Sequence, residues 1–233
     1  MKDDFPFLFS DTVHQPGPIK KTLFTLSRPG WRNLRKRAFD IVGAFLLILF
    51  FLPFMLIVVM ALMIADGRPV FFSHTRIGRN GVPFGCLKFR TMYRSGDRLL
   101  QDRLRTDPVA RAEWLAIRKL KNDPRVHPVG RFLRRTSLDE LPQLFNVLAG
   151  QMSLVGPRPI VQAEMKEYGR RAGCYLALRP GITGLWQVSG RSDTSYGERV
   201  DLDERYFHQQ SLLLDLRILF RTLRVVLLAR GAY

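Results

Sequence analysis

The chain has 233 residues, and its 37 lysines and arginines outnumber its 20 aspartates and glutamates, giving a formal net charge of +17. Apolar residues at 46% and charged residues at 24% exclude a wholly disordered chain, and no collagen-like, heptad or longer repeat is present. Two cysteines, Cys86 and Cys174, cannot build a disulfide framework and match no zinc spacing.

Such a basic chain calls for an anionic partner: nucleic acid, an anionic membrane surface or a phosphorylated substrate. Residues 1–37 read as a basic N-terminal arm, loose at first and then rich in Arg28, Arg32, Arg35, Lys36 and Arg37. Ile41 to Ala65 follows, 25 residues without a charge. A straight helix of that length would reach about 38 Å, enough to span a hydrocarbon core of about 30 Å. It starts too late and runs too long for a cleavable signal, and a buried core helix is rarely so extended. Pro53 stands at its centre and removes a backbone donor there. Basic residues flank both ends, from Lys20 to Arg37 and from Arg68 to Arg90. Since basic flanks prefer the cytoplasm, a bent segment that returns to its side of entry is favoured over a crossing one, and both readings stay open.

Val70 to Arg76 and Pro83 to Phe89 alternate like strands around the turn dipeptide Asn80-Gly81, predicting a hairpin. A charged helix is expected from Asp97 to Leu120, interrupted at Asp107-Pro108, with a further turn at Asp123-Pro124. Leu141, Leu144, Phe145 and Leu148 fall on one helical face after Asp139. Another helix is expected from Ile160 to Gly173, and Pro180-Gly181 opens a loop carrying Trp186 and Gln187. The last helix, Leu212 to Ala229, interleaves Arg217, Arg221 and Arg224 with leucines. It suits either a membrane surface or the core.

The chemistry concentrates between Arg125 and Arg158. Asp139 and Glu140 fall at or just before a helix N-terminus. Ser137 and Glu140 fit a capping box there, a purely structural explanation. The functional alternative is that free N–H groups hold a phosphate beside an ionised carboxylate fit to attack phosphorus. Arg131, Arg134 and Arg135 precede the pair. Arg158, fixed between Pro157 and Pro159, suits bidentate phosphate contact as well as it suits a simple surface turn. Lys88, Arg90 and Thr91 could meet a diphosphate or merely keep an edge strand soluble.

Taken together and in order, KFRTM (Lys88 to Met92), SLDELPQL (Ser137 to Leu144), MSLVGPRP (Met152 to Pro159) and RPGITGLWQVSGR (Arg179 to Arg191) resemble the bacterial sugar transferases, the monotopic polyprenyl-phosphate phosphoglycosyl transferases. The resemblance runs from about Arg35 to Tyr233 and is nearest to the hexose-1-phosphate transferases of exopolysaccharide synthesis. It implies transfer of galactose- or glucose-1-phosphate from a UDP-sugar to undecaprenyl phosphate, with release of UMP. Asp139 would be the nucleophile and Glu140 its partner in Mg2+ binding or proton handling. Lys88, Arg90, Arg134 and Arg158 would bind phosphate, and Arg179, Trp186, Gln187 and Arg191 nucleotide or sugar. Loop packing competes for Trp186. Leu52 and Pro53 would form the membrane bend, although many relatives carry Ser before that proline.

The expected architecture is α+β and mostly helical. It comprises a re-entrant membrane helix over residues 38–66, a small β-hairpin, and amphipathic interfacial helices around a cytoplasmic catalytic domain over 67–233. The expected location is the cytoplasmic face of the bacterial inner membrane, among membrane lipids, with no nucleic-acid partner. A homo-oligomer is compatible with the sequence. A membrane-anchored nucleic-acid-binding or scaffold protein with a degenerate site is the alternative.

Overall fold

A computed structural model describes residues 30–189 and 194–227. The larger part of the basic arm, Arg191 and the end of the chain lie outside the described residues. The uncharged run forms most of α1 (Gly30–Asp66), a helix of 37 residues that continues through Pro53. It starts before the expected boundary at 38, because Leu34, Arg35, Lys36 and Arg37 are good helix formers. Asp40, Ala44, Met55, Val58 and Leu62 are buried, with Ile48, Phe51 and Val59 partly so. These positions, three and four apart, trace one stripe along the helix. The opposite faces leave Phe45, Leu49, Phe50, Ile57 and Ile64 exposed. The helix is long and apolar enough to cross a membrane, and only 17% of its most apolar stretch is buried, unlike a soluble core helix.

Both ends of α1 are tied by polar contacts to the same body. Near the start, the Arg37 guanidinium donates to the carbonyls of Val147 at 2.6 Å and Leu148 at 2.8 Å. Buried Asp40 accepts from Lys36 Nζ at 2.8 Å, Ser153 Oγ at 3.0 Å and the Leu154 N–H at 3.1 Å. Lys36 also lies 3.1 Å from Asp215, whose other oxygen accepts the Tyr206 hydroxyl at 2.7 Å. At the far end, Asp66 pairs with Arg90 at 3.1 Å and accepts the Arg94 N–H at 2.8 Å.

The hairpin forms as β1 (Phe71–Ile77) and β2 (Pro83–Phe89), antiparallel, with Phe71 opposite Phe89 and Ile77 opposite Pro83. Asn80 and Gly81 both take positive φ, 59° and 78°, as the turn chemistry requires. Arg79 joins them, and the Gly78 N–H closes the loop on the Val82 carbonyl at 2.9 Å. The charged stretch divides at Asp107 into α2 (Gly96–Thr106) and α3 (Pro108–Ile117), with Asp107 capping the second through the N–H groups of Val109 and Ala110.

Sequence periodicity overlooked α4 (Pro128–Thr136), whose N-terminus is capped by a histidine. His127 Nδ1 accepts the Gly130 N–H at 2.9 Å while Nε2 lies 3.2 Å from the Arg90 carbonyl, which assigns the proton to Nε2. Gly130 leaves no room for a Cβ against the Thr91 carbonyl, so α4 sits directly on the end of the hairpin. After α4 come a 3-10 turn, Leu138–Glu140, and the short α5 (Gln143–Leu148).

The single helix expected from Ile160 to Gly173 is instead broken. It becomes two 3-10 turns and two short helices, α6 (Met165–Tyr168) and α7 (Ala172–Leu176). Gly169 at φ 48° interrupts it, a conformation that ends a right-handed helix. Two three-residue strands, β3 (Ser153–Val155) and β4 (Gly181–Thr183), pair in parallel. Gly156 and Gly181 approach too closely for either to carry a side chain. α8 (Tyr196–Gln209) opens on a capping box between Ser195 and Glu198, and α9 (Leu212–Leu227) closes the described chain. On α9, Ile218 is buried against the body, while Leu213, Phe220 and Leu223 are exposed.

Candidate active site

Asp139 and Glu140 stand on the 3-10 turn between α4 and α5, and the capping box expected at Ser137 does not form. Ser137 has φ 57° and ends α4, so its backbone is already committed to the left-handed cap and its side chain caps nothing downstream. Pro142 precedes α5, as a residue without an N–H can. The carboxylates therefore sit on a tight turn just ahead of a six-residue helix rather than in its first turn.

Lys88 reaches both of them. Its Nζ lies 2.6 Å from Glu140 Oε1 and 3.8 Å from Asp139 Oδ2. β2 carries Lys88, and Asn146 holds β2 against α5, the helix that follows the turn bearing Asp139 and Glu140. The Asn146 amide accepts the Leu87 N–H at 3.0 Å and donates to the Gly85 carbonyl at 2.8 Å. Burial pushes the Asp139 carboxyl above its ordinary range; Glu140 adds to the rise, while Lys88 and Arg134 oppose it. Arg134 donates from Nε to Thr91 Oγ1 at 2.7 Å, which aims its charge from α4 toward the same turn.

From Glu140 and Lys88 a pocket extends past Gln143 to Arg158, Arg76 and Gln187. Arg158 is exposed, its guanidinium 5.8 Å from the Trp186 ring centroid; that of Arg199 lies 4.7 Å from the same centroid. Trp186 is itself buried, so it acts as a platform for two arginines. Gln187 lines the pocket, and its Oε1 is buried without a hydrogen-bond partner.

The structure thus brings together Lys88, Asp139, Glu140, Arg134, Arg158 and Gln187. It sets two of the expected residues elsewhere. Arg90 is spent on Asp66 and on the Gly67 carbonyl at 2.8 Å, bracing the end of α1. Arg179 donates to the Gly150 carbonyl at 2.8 Å, and burial lowers its pKa. Arg191 lies outside the described residues. Leu52 and Pro53 are exposed on α1. Sequence reasoning passed over Arg76, Gln143 and Asn146. Arg76 was absorbed into the strand pattern, while Gln143 and Asn146 lie three apart on α5 as polar residues beside the apolar Leu144 and Val147, a spacing that could have revealed them.

Away from this pocket, Cys174, Glu204 and His208 bring their donor atoms within 4.8 Å of one another. Glu204 there already faces Arg171 at 3.6 Å, and burial pushes the Cys174 thiol up, away from the thiolate a metal would need.

Comparison with known proteins places the chain in a family. The model of the bacterial sugar transferases matches residues 31–229. The chain is 50% identical over 201 residues to the exopolysaccharide production protein ExoY of Rhizobium meliloti (strain 1021), covering 86% of this chain and 89% of that protein. It is 52% identical over 230 residues to the UDP-galactose-lipid carrier transferase of Erwinia amylovora, covering 99% of this chain and 47% of that protein. Identity to the undecaprenyl-phosphate galactose phosphotransferase of Salmonella typhimurium (strain LT2) is 51% over 230 residues, again 99% of this chain and 47% of the relative. The match thus spans nearly all of the first relative and about half of the other two, and on this evidence the chain belongs to the bacterial sugar transferase family.

Proposed function

We propose that this chain transfers hexose-1-phosphate, galactose or glucose, from a UDP-sugar to undecaprenyl phosphate and releases UMP. The observation that carries the reading is Asp139, a buried carboxylate 3.8 Å from Lys88 and next to Glu140, both of which line a cationic pocket. In the first step an Asp139 oxygen bonds to the sugar-bearing phosphorus, the bond from that phosphorus to the bridging oxygen breaks, and UMP leaves with the electron pair. In the second step a phosphate oxygen of the lipid bonds to the same phosphorus and Asp139 is released. The raised affinity of Asp139 for protons also makes its ionised form the better nucleophile. Lys88, Arg134 and Arg158 oppose the charge that would otherwise repel a carboxylate from a diphosphate. The paired oxygen donors of Asp139 and Glu140 fit a hard divalent ion such as Mg2+, which would neutralise phosphate charge when bound.

Residues 67–233 act in this reading as the catalytic unit, with residues 1–37 as a basic arm and 38–66 as a re-entrant membrane helix. The attachment of both α1 ends to one body supports a return to the side of entry, because a crossing helix would separate them by a bilayer. The exposed apolar residues of α9, together with Arg217 and Arg221, suit a helix lying at the interface. We assign the catalytic unit to the cytoplasmic face of the bacterial inner membrane, where the basic flanks of α1 prefer to stay. A nucleic-acid-binding or scaffold role is not favoured.

The test is UMP release from UDP-galactose and UDP-glucose with undecaprenyl phosphate and Mg2+. The Asp139→Asn protein is expected to fold and to release no UMP. Full turnover in that variant would remove Asp139 from the reaction.

A further inference from the structure

We infer that Arg76 is a further substrate-contacting residue, which holds the departing α-phosphate of the sugar nucleotide together with Arg158. The inference rests on the phosphoglycosyl transfer proposed above.

Strand register places the residue. Phe72 pairs with Lys88, His74 with Cys86 and Arg76 with Phe84, so these six side chains share one face of the hairpin. The pocket wall therefore runs from Lys88 through Cys86 to Arg76. Lys88 is engaged with the two carboxylates at one end. Arg76 and Arg158 line the pocket beyond them. With Lys88 engaged by the carboxylates, these two guanidinium groups are the lining cations that remain for the other phosphate of a diphosphate whose sugar-bearing phosphorus meets Asp139.

Arg76 is also loosely held. Its Nη1 lies 3.7 Å from Glu164 Oε2, too far for a good hydrogen bond. That same carboxylate oxygen already accepts the Val161 N–H at 2.9 Å. The lining carries three cations, Arg76, Lys88 and Arg158, against the single carboxylate of Glu140. Such an excess, partly shielded from water, is matched by a phosphate dianion. His74 on the same face reports this field: burial, then Arg76 and Lys88, hold its pKa below the ordinary value. As the bridging bond breaks, negative charge grows on the leaving UMP, and a guanidinium that exchanges Glu164 for that phosphate stabilises it.

Two-substrate kinetics on the full chain in lipid nanodiscs separate donor from acceptor. Arg76→Met is expected to lower kcat/KM for the UDP-sugar roughly a hundredfold, to leave kcat/KM for undecaprenyl phosphate unchanged, and to weaken product inhibition by UMP. Arg76→Lys should recover part of each loss. Equal losses on both substrates, or undiminished inhibition by UMP, would overturn the inference. Glu164→Gln keeps the acceptor for Val161 and removes the competing charge, so UMP should bind more tightly. It tests the inference without altering Arg76, and unchanged UMP affinity would count against it. Failure of the wild-type chain to release any UMP would instead strike at the proposed function itself.

Discussion

Asp139 lies within reach of one lysine and next to one glutamate, and these neighbours pull its protonation in opposite directions. Burial dominates and raises the carboxyl, and Lys88 partly offsets the rise. Removing that cation leaves Arg134 as the remaining positive charge against burial and Glu140. In Lys88→Met the acid limb of the donor half-reaction is therefore expected to move to higher pH, with a loss in kcat of roughly a hundredfold or more. Stopped-flow measurement of UMP release across pH checks both; an unmoved limb would place Lys88 out of touch with the nucleophile. The same raised pKa bears on stability. A carboxyl that holds its proton more tightly when folded favours the fold below its ordinary pKa, and this contribution is lost as pH rises through the folded value. At neutral pH Asp139→Asn should thus melt at a higher temperature than the wild type while losing turnover.

At the scale of elements, the site is a junction of short pieces: a two-stranded hairpin, a 3-10 turn, and a six-residue helix. Asn146 joins them by accepting from β2 and donating to it. Asn146→Ala would leave backbone groups of β2 unpaired, at about 1–3 kcal/mol for each buried group. Chemical denaturation should register that cost, and kcat should fall as Lys88 drifts from Asp139 and Glu140. Long or strongly marked elements were readable in the sequence: α1 from its uncharged run, the hairpin from Asn80-Gly81, α2 and α3 from the break at Asp107-Pro108. The failures have physical causes. The Ser137 and Glu140 spacing suggested a capping box, but Ser137 was needed to end the preceding helix. α8 carries a genuine box at Ser195 and Glu198 that lay unnoticed inside a polar stretch. β3 and β4, three residues each, are too short for any periodicity to register. Arg90 shares a motif with Lys88, yet it follows Phe89, the last residue of β2, and reaches back to Asp66 and the Gly67 carbonyl at the end of α1.

For the molecule as a whole, the decisive relation is between α1 and the body it lies along. Pro53 and Leu52 occupy the exposed side, opposite the buried stripe. Pro53 frees the Leu49 carbonyl on that outer face, and long helices curve with their convex side outward. Single cysteines introduced near Asn33 and near Arg68 are expected to react with an impermeant maleimide from the same side of sealed vesicles. Reaction from opposite sides would make α1 a crossing helix and would require its contacts with Val147 and Asp66 to be remade.

Fastening an oily rod at both extremities to the unit that carries Asp139 has a mechanical result. With α1 in a bilayer as proposed, the unit would not swing toward or away from it as a tethered head could, and the height of Asp139 over the acyl chains would be set once, at folding. An isoprenoid carrier would then have only to present its headgroup at that level, and turnover with carriers shortened beyond the first few units is expected to be unchanged.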